Sequence, residues 1–378
     1  MVDAHSWADI DLQALQHNLG KAREFAPGKR VCAVIKANAY GHGVHAVAAA
    51  LSPALNAGDL VAVATLNEAL ALRETFTATP VLVLRGPLTA VELDTLIRGG
   101  FHWTLHSRWQ ADLLKTWLAQ QHGDLPALNI WLKINTGMNR LGLPADDLRQ
   151  IWSWLLSLNV PGERVLMSHF ATADEHAHPL AQAQQDNFIR ITQSLPGAGH
   201  CARSQSASAG IMDWPRAHHD IVRPGIMLYG ASPMGDRPGS SHGLKPVMSL
   251  KSRLLTINQV KAGDTVGYGA TYHCQEDMPV GIIGIGYGDG YPRHAPSGTP
   301  VLIHAAGKVW QAPLAGRVSM DMLTVDLRGI PAQPGDEVLL WGQSWGAELP
   351  ADTIAQFAGT IAYELFCQVT SRVKFLYR

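Results

Sequence analysis

The chain has 378 residues, of which 47% are hydrophobic and 16% charged, and its 30 basic and 31 acidic side chains leave a net charge of -1. Charge this balanced gives no basic stripe for nucleic acid or an anionic membrane surface, and no apolar run is continuous enough to span a bilayer. So much apolar material in so long a chain predicts a globular protein with two domains, without nucleic-acid or membrane partners.

The start, Met1-Val-Asp-Ala-His5, lacks a basic region followed by an apolar run, so a signal peptide is not expected and a cytoplasmic location is. Cys32, Cys201, Cys274 and Cys367 are scattered without a CxxC pair, which predicts free thiols rather than disulfides or zinc ligands. The histidine pairs His176-Ala-His178 and His218-His219 sit beside proline in loop-like sequence, and no metal site is expected of them.

In chain order, helical spacing is expected over Asp9–Phe25 and a first strand over Val31–Ile35. Strands follow at Leu60–Thr65, Pro80–Leu84, Phe101–Thr104, Leu128–Ile134, Arg164–Ser168, His200–Ser204 and Ile221–Leu228. Helices separate them at Gly43–Ala50, Leu66–Glu74, Val91–Gly99, Trp109–Gln121, Asp146–Leu158 and Pro179–Ser194. Several strands are unbroken Val/Ile/Leu/Ala runs, the pattern of parallel strands buried on both faces. Eight strands alternating with helices over roughly 220 residues suit a (β/α)8 barrel. The rival, an open doubly wound sheet that binds dinucleotides, lacks a GxGxxG after its first strand.

The texture changes after Met234. Gly235-Asp-Arg-Pro-Gly-Ser-Ser-His is turn-rich, and short strands follow at Leu250–Val260, Val280–Ile285, Val301–His304, Lys308–Trp310, Leu323–Asp326 and Glu337–Leu340. Lys261-Ala-Gly-Asp and Pro334-Gly-Asp-Glu are tight turns between such strands. The expected fold is therefore α/β: an N-terminal (β/α)8 TIM-type barrel over 8–235 and a C-terminal mainly β domain over 236–378. Residues 1–7 are free to join the second domain, which is expected to end in a helix near Asp352–Gln356.

Lys36 ends the apolar run Val31-Cys-Ala-Val-Ile, and the C-terminal ends of barrel strands are where catalytic groups gather. Lost hydration lowers a lysine pKa and favours the neutral amine that attacks an aldehyde, although a lone lysine there could equally be leaving the core. The string Lys36-Ala-Asn-Ala-Tyr40-Gly-His-Gly resembles the pyridoxal 5'-phosphate (PLP) attachment motif of the alanine racemases, the fold-type III PLP enzymes.

The resemblance runs along nearly the whole chain. Lys133-Ile-Asn-Thr-Gly-Met-Asn-Arg140-Leu-Gly is similar to the family's substrate-side loop. Strand alternation puts Lys133 and Asn135 on one face. The resemblance implies that Arg140 contacts cofactor and substrate, and that Lys133 is the position many members carry as a carbamate. Asn135 stands where many relatives have Asp, and an ordinary salt-bridging lysine is the alternative. In Ser168-His169-Phe-Ala-Thr-Ala-Asp174, His169 would lie beside the pyridine ring and Asp174 further out along the approach. For the phosphate, barrels commonly use backbone amides after their last two strands. The family pattern places Ser208 there, with Ser206 a competing assignment, and the amides of Gly225 and Ile226; Tyr40 and Tyr363 would add hydroxyls. Arg223 matches the arginine facing the pyridine nitrogen. A permanent cation gives that nitrogen no proton, so the ring stays a weaker electron sink and proton return outpaces transamination.

From the β domain, Val266-Gly-Tyr268-Gly-Ala-Thr-Tyr resembles the segment whose tyrosine acts opposite the lysine and comes from the other subunit, which implies a homodimer with shared sites. Ile285-Gly-Tyr287-Gly-Asp-Gly-Tyr-Pro-Arg293 and Gly316-Arg317-Val-Ser-Met320-Asp321-Met resemble partner-subunit elements at the site entrance. Met320 would touch the substrate carboxylate through its backbone, and Arg293 and Arg317 would steer a carboxylate inward unless they are surface ion-pair residues. The closing Arg372-Val-Lys-Phe-Leu-Tyr departs slightly from the family's Arg-Val-Pro ending, and no role is expected of it.

The implied activity is interconversion of L- and D-alanine: Tyr268 takes the L-alanine proton and Lys36 returns one to the other face, with roles reversed for D-alanine. That chemistry would serve D-alanine biosynthesis as a peptidoglycan precursor or D-alanine breakdown. The alternatives are a serine or broad-specificity racemase, a fold-type III decarboxylase, a metal-assisted aldolase, and a single-barrel PLP carrier, which the long β extension disfavours.

Overall fold

The computed structural model describes residues 5–175 and 178–378, so His176 lies outside the described residues. The chain forms two compact units, one of residues 19–39 and 47–228, the other of residues 1–18, 40–46 and 229–378. The first strand, β1 (Ser6–Ile10), belongs to the latter.

The first unit is a ring of eight parallel strands: β2 (Arg30–Val34), β3 (Leu60–Val63), β4 (Val81–Val83), β5 (His102–Leu105), β6 (Asn129–Lys133), β7 (Arg164–Met167), β8 (Ala202–Ser204) and β9 (Ile221–Val222). They pair in the order β8-β7-β6-β5-β4-β3-β2-β9, and a parallel bridge between Ala207 and Arg223 brings the end strands together. Helices follow the strands as the periodicity predicts, several with recognisable caps. Thr65 accepts from the Glu68 amide while Glu68 reaches back to the Thr65 amide, the reciprocal pair that fixes a helix start. Strands β3, β4 and β5 are buried at every residue, and Trp103 and Trp131 are fully enclosed. The last strand is much shorter than the expected Ile221–Leu228. Pro224 has no amide to continue the ladder, and Ile226–Tyr229 coils into a 3-10 turn.

The second unit is mainly β, with β10 (Met248–Val260), β11 (Thr265–Val266), β12 (Tyr272–His273), β13 (Met278–Ile283), β14 (Pro300–Ala305), β15 (Lys308–Pro313), β16 (Leu323–Asp326), β17 (Glu337–Ser344), β18 (Ala347–Leu349) and β19 (Lys374–Tyr377). Its main path runs β15-β14-β17-β10-β1-β19. Two sequence expectations are corrected here. Asp9 and Ile10 are not helical but lie in β1, between β10 (antiparallel) and β19 (parallel), and the helix begins only at Leu12. The unit does not end at its helix Ala351–Ala358, because a second helix, Ala362–Gln368, and β19 follow. Among the described residues no helix is long and apolar enough to cross a membrane.

Candidate active site

The barrel strands deliver their chemistry at one rim. Lys36 follows β2, Lys133 ends β6, Ser168 and His169 follow β7, Ser208 follows β8, and Arg223 follows β9. All are C-terminal strand ends, the face on which barrels build their sites.

Lys36 is set by an unusual backbone. Ala37, Asn38, Ala39 and Tyr40 all have φ between 52° and 55°. Left-handed φ costs an L-residue about 1–2 kcal/mol, so four in succession persist only where surroundings enforce them. The Ala39 amide still reaches the Ile35 carbonyl at 3.0 Å. The Ala37 amide donates to Glu68 Oε1 at 2.8 Å, while Glu68 Oε2 accepts from Ala64 (2.8 Å) and Thr65 (3.0 Å). Glu68 thus fastens the lysine's turn to the next strand end. It escaped the sequence reading, although Thr65-x-x-Glu68 is a legible capping box.

Around this rim positive charge accumulates. Arg223, 4% exposed, donates to Ser204 Oγ (2.5 Å), to the carbonyls of Ser168 (2.6 Å) and Gln205 (3.0 Å), and to His169 Nδ1 (3.4 Å). All four acceptors are neutral, and burial pulls the guanidinium down to about 10, so it stays charged. Burial, with the charges of Arg223, Lys133, Arg140 and Lys36, holds His169 well below the ordinary histidine value. It is neutral at pH 7, with Nδ1 turned to the arginine as acceptor. Lys133 is pulled down to about 8 by burial, then by Arg223, Arg140 and Lys36. Arg140 is exposed, on a loop that returns to β6 through the Leu143 amide on the Lys133 carbonyl (2.7 Å). Asn135 shapes that loop: its Oδ1 accepts from Gly137 (3.1 Å) and Asn139 (3.2 Å). Asp174 is exposed in the loop after β7.

The two candidate serines separate by their partners. Ser206 Oγ donates to the Ala217 carbonyl at 2.9 Å and is fully buried. Ser208 Oγ accepts from the amides of Gly225 (3.0 Å) and Met227 (3.3 Å), joining the helix Ser208–Asp213 to the turn after β9, where Ile226 is buried. Amides, a hydroxyl and the nearby cations Lys36, Lys133, Arg140 and Arg223, the last with neutral partners only, suit a ligand carrying several negative charges. That donor set fits PLP, whose aldehyde needs an amine such as Lys36.

The second unit holds the remaining residues in two groups. Tyr40 is buried with its ring 4.8 Å from Tyr229 and 5.9 Å from Tyr363, and burial pushes its phenol up. Gly41 must be glycine, since a Cβ there would lie 2.1 Å from the Phe366 carbonyl oxygen. In the other group Tyr268 is 68% exposed, presented between Gly267 (φ 78°) and Gly269 (φ 75°). Arg317 packs beside Gly269, and the Tyr287 amide donates to the Ser319 carbonyl at 3.0 Å, next to exposed Met320. The Arg293 guanidinium lies 6.0 Å from the Tyr287 ring centre, and Asp321 pairs with Arg372 at 2.7 Å.

The patterns of two domain families match in tandem, "Alanine racemase, N-terminal domain" over residues 10–233 and "Alanine racemase, C-terminal domain" over 247–377. The chain belongs to the alanine racemase family. An alanine racemase of Halorhodospira halophila is 43% identical over 369 residues, covering 97% of this chain and 96% of that protein. Among solved structures, the biosynthetic alanine racemase of Pseudomonas aeruginosa is similar with a TM-score of 0.91, 40% identity and full coverage of both chains. The Bartonella henselae alanine racemase, solved with covalently bound pyridoxal phosphate, gives a TM-score of 0.86 at 28% identity with full coverage of both. PLP is the cofactor of this family. The C-terminal match also removes the single-barrel carrier, and the serine racemase and decarboxylase alternatives are not favoured.

Proposed function

We propose that this chain interconverts L- and D-alanine as a PLP-dependent racemase, with Lys36 and a partner subunit's Tyr268 as the two acid–base groups. The observation that carries the reading is the gathering of Lys36, Lys133, His169, Arg140 and Arg223 at one barrel rim, where Ser208 also meets the Gly225 and Met227 amides. The alanine racemases it resembles in sequence and in structure support it.

PLP, when bound, draws electrons from the amino acid's Cα and so makes its C–H acidic. Ser208, Gly225, Ile226, Tyr40 and Tyr363 would hold the phosphate, and His169 and Arg223 would orient the ring. Arg223 gives the ring no proton, and its charge, with that of Arg140, keeps anionic forms of nearby groups accessible. Arg140 and the partner subunit's Met320 backbone would bind the substrate carboxylate, while Asp174 and the partner subunit's Arg293, Arg317, Tyr287 and Asp321 would line the approach. Racemisation removes a proton from one face of Cα and restores one to the other, so two groups must flank it. Lys36 Nζ serves one face. The exposure of Tyr268 leaves its phenol free to enter another subunit's site, which supports a homodimer with shared sites. Lys133, surrounded by cations and brought down to about 8, is suited to carry a carbamate that balances Arg140. Asn135 supplies no charge there, because its carboxamide is neutral, and its oxygen instead accepts from the loop amides. We place the enzyme in the cytoplasm, supplying D-alanine as a peptidoglycan precursor.

The test is the purified protein with PLP, challenged with a panel of L- and D-amino acids and read by chiral chromatography. Alanine should be racemised, and Lys36→Ala should lose both turnover and the visible absorbance of lysine-bound cofactor. Activity confined to serine or larger side chains, or release of carbon dioxide, would overturn the assignment.

A further inference from the structure

The geometry points to Arg372 as a positioning residue that fixes the Met320 backbone for the substrate carboxylate, an inference that rests on the carboxylate role of Met320 proposed above. Arg372 lies two residues before β19 and pairs two of its guanidinium nitrogens with carboxylates on two different loops. Nε meets Asp289 Oδ1 at 3.2 Å, and one terminal nitrogen meets Asp321 Oδ1 at 2.7 Å. The other lies over Gly288, where an added Cβ would come within 2.5 Å of it.

Those loops are the ones that carry Tyr287 and Met320. Asp289 is 4% exposed, and its Oδ2 accepts from the Gly286 amide at 2.9 Å, closing the turn that follows β13. The Tyr287 amide donates to the Ser319 carbonyl (3.0 Å) and the Gly288 amide to the Met320 carbonyl (2.8 Å), so the turns form a short two-bond ladder. Gly286 permits that approach, since a Cβ there would lie 2.3 Å from the Ser319 carbonyl oxygen. With its carbonyl so used, Met320 retains an amide that donates to no acceptor among the described residues. That N–H is the group left to meet a carboxylate. Thr370 secures the third side, its amide donating to the Asp289 carbonyl (3.0 Å) and its hydroxyl to the Gly288 carbonyl (3.0 Å).

The Arg372 side chain is half exposed, so its ion pairs add little to global stability. What it provides is registry: one planar cation bonded to both loops keeps the Met320 amide from swinging with its turn. A lysine carries the same charge but lacks the rigid planar fork that fixes both carboxylates in one geometry.

The experiment uses the PLP-loaded enzyme and its Arg372→Ala and Arg372→Lys variants. It reads kcat, KM for alanine, inhibition by propionate (alanine's carboxylate without the amine), and amide hydrogen exchange over residues 286–291 and 317–322. Arg372→Ala should raise KM and the propionate inhibition constant in parallel by roughly ten-fold, the scale of a mispositioned contact. It should leave kcat within about two-fold and the cofactor absorbance intact, and speed exchange in both segments; Arg372→Lys should recover part of the affinity. Unchanged exchange with unchanged KM overturns the inference at Arg372 itself. Faster exchange with unchanged KM and unchanged propionate inhibition overturns it through Met320, showing that this amide does not bind the carboxylate.

Discussion

Glu68 Oε1 accepts the Ala37 amide at 2.8 Å, so the residue that closes one helix cap also holds the turn carrying Lys36. A single carboxylate here satisfies three backbone amides, from Ala37, Ala64 and Thr65. Charge-assisted bonds of this kind are the stronger class, and they oppose the tendency of four left-handed residues to relax.

Glu68→Ala should therefore cost the helix cap about 1 kcal/mol and, by loosening Lys36, lower kcat roughly ten-fold. Glu68→Gln should fall between, because its amide nitrogen cannot accept a backbone N–H. Steady-state kinetics beside thermal melts check this, and wild-type kcat in the alanine variant would remove Glu68 from the account.

Tyr268→Phe should lower racemisation by about two orders of magnitude or more, the usual worth of a positioned acid–base group. Mixing inactive Lys36→Ala and Tyr268→Phe chains tests whether sites are shared. Random reassortment makes half the dimers mixed, each with one intact site, and about a quarter of wild-type activity should return. A mixture that stays inactive after subunit exchange would argue against Tyr268 serving the partner.

An ordinary lysine amine is protonated below about pH 10, whereas Lys133, at about 8, is neutral enough near pH 8 to react with dissolved carbon dioxide. The nitrogen bonds to the carbon and releases a proton, leaving a carbamate anion among the neighbouring cations. Enzyme prepared in carbon-13 bicarbonate should show one carbamate resonance that grows as pH rises through about 8 and is missing from Lys133→Ala. A wild-type spectrum without that resonance would make Lys133 a plain cation.

Asp352 predicts a pH-dependent stability. One of its oxygens accepts from the Ser232 and Gly239 amides (3.2 Å each), yet burial, with a smaller push from Glu348, raises its carboxyl from 3.8 to about 6. Between those values the folded chain holds the proton that the unfolded chain has lost. Stability therefore falls as pH rises from 3.8 to about 6, and the cost persists above. Asp352→Asn keeps the accepting oxygen and removes the desolvated charge. It should stabilise by about 2 kcal/mol at pH 7 and by little near pH 4, a difference visible in paired thermal melts. An equal or opposite change at the two pH values would contradict this account.

Much of the fold is written locally. Apolar runs punctuated by helical periodicity locate the first seven barrel strands to within a few residues and the start of the eighth, because strands buried on both faces are rich in Val, Ile, Leu and Ala. Once those strands are parallel, Lys36, Lys133, His169 and Arg223 must share a rim, since each stands at a strand's C-terminal end. The misread elements failed for physical reasons. Asp9 continues a helical spacing, but backbone pairing of Ser6–Ile10 with Met248–Ser252 and Lys374–Tyr377 overrides it. The helix holding Tyr363 is only seven residues long, too short for periodicity to declare it.

The sequence by itself determined the alternation of strands and helices, the switch to β structure after Met234, and the motif lysine, tyrosine and arginines, because each is encoded by neighbours along the chain. Tertiary structure alone decided the left-handed turn after Lys36, the grip of Glu68 on it, and the clamp of Arg372 on Asp289 and Asp321. Such strain and such pairings are unfavourable or undefined for an isolated segment. They exist only where residues far apart in the chain are held close enough to enforce them.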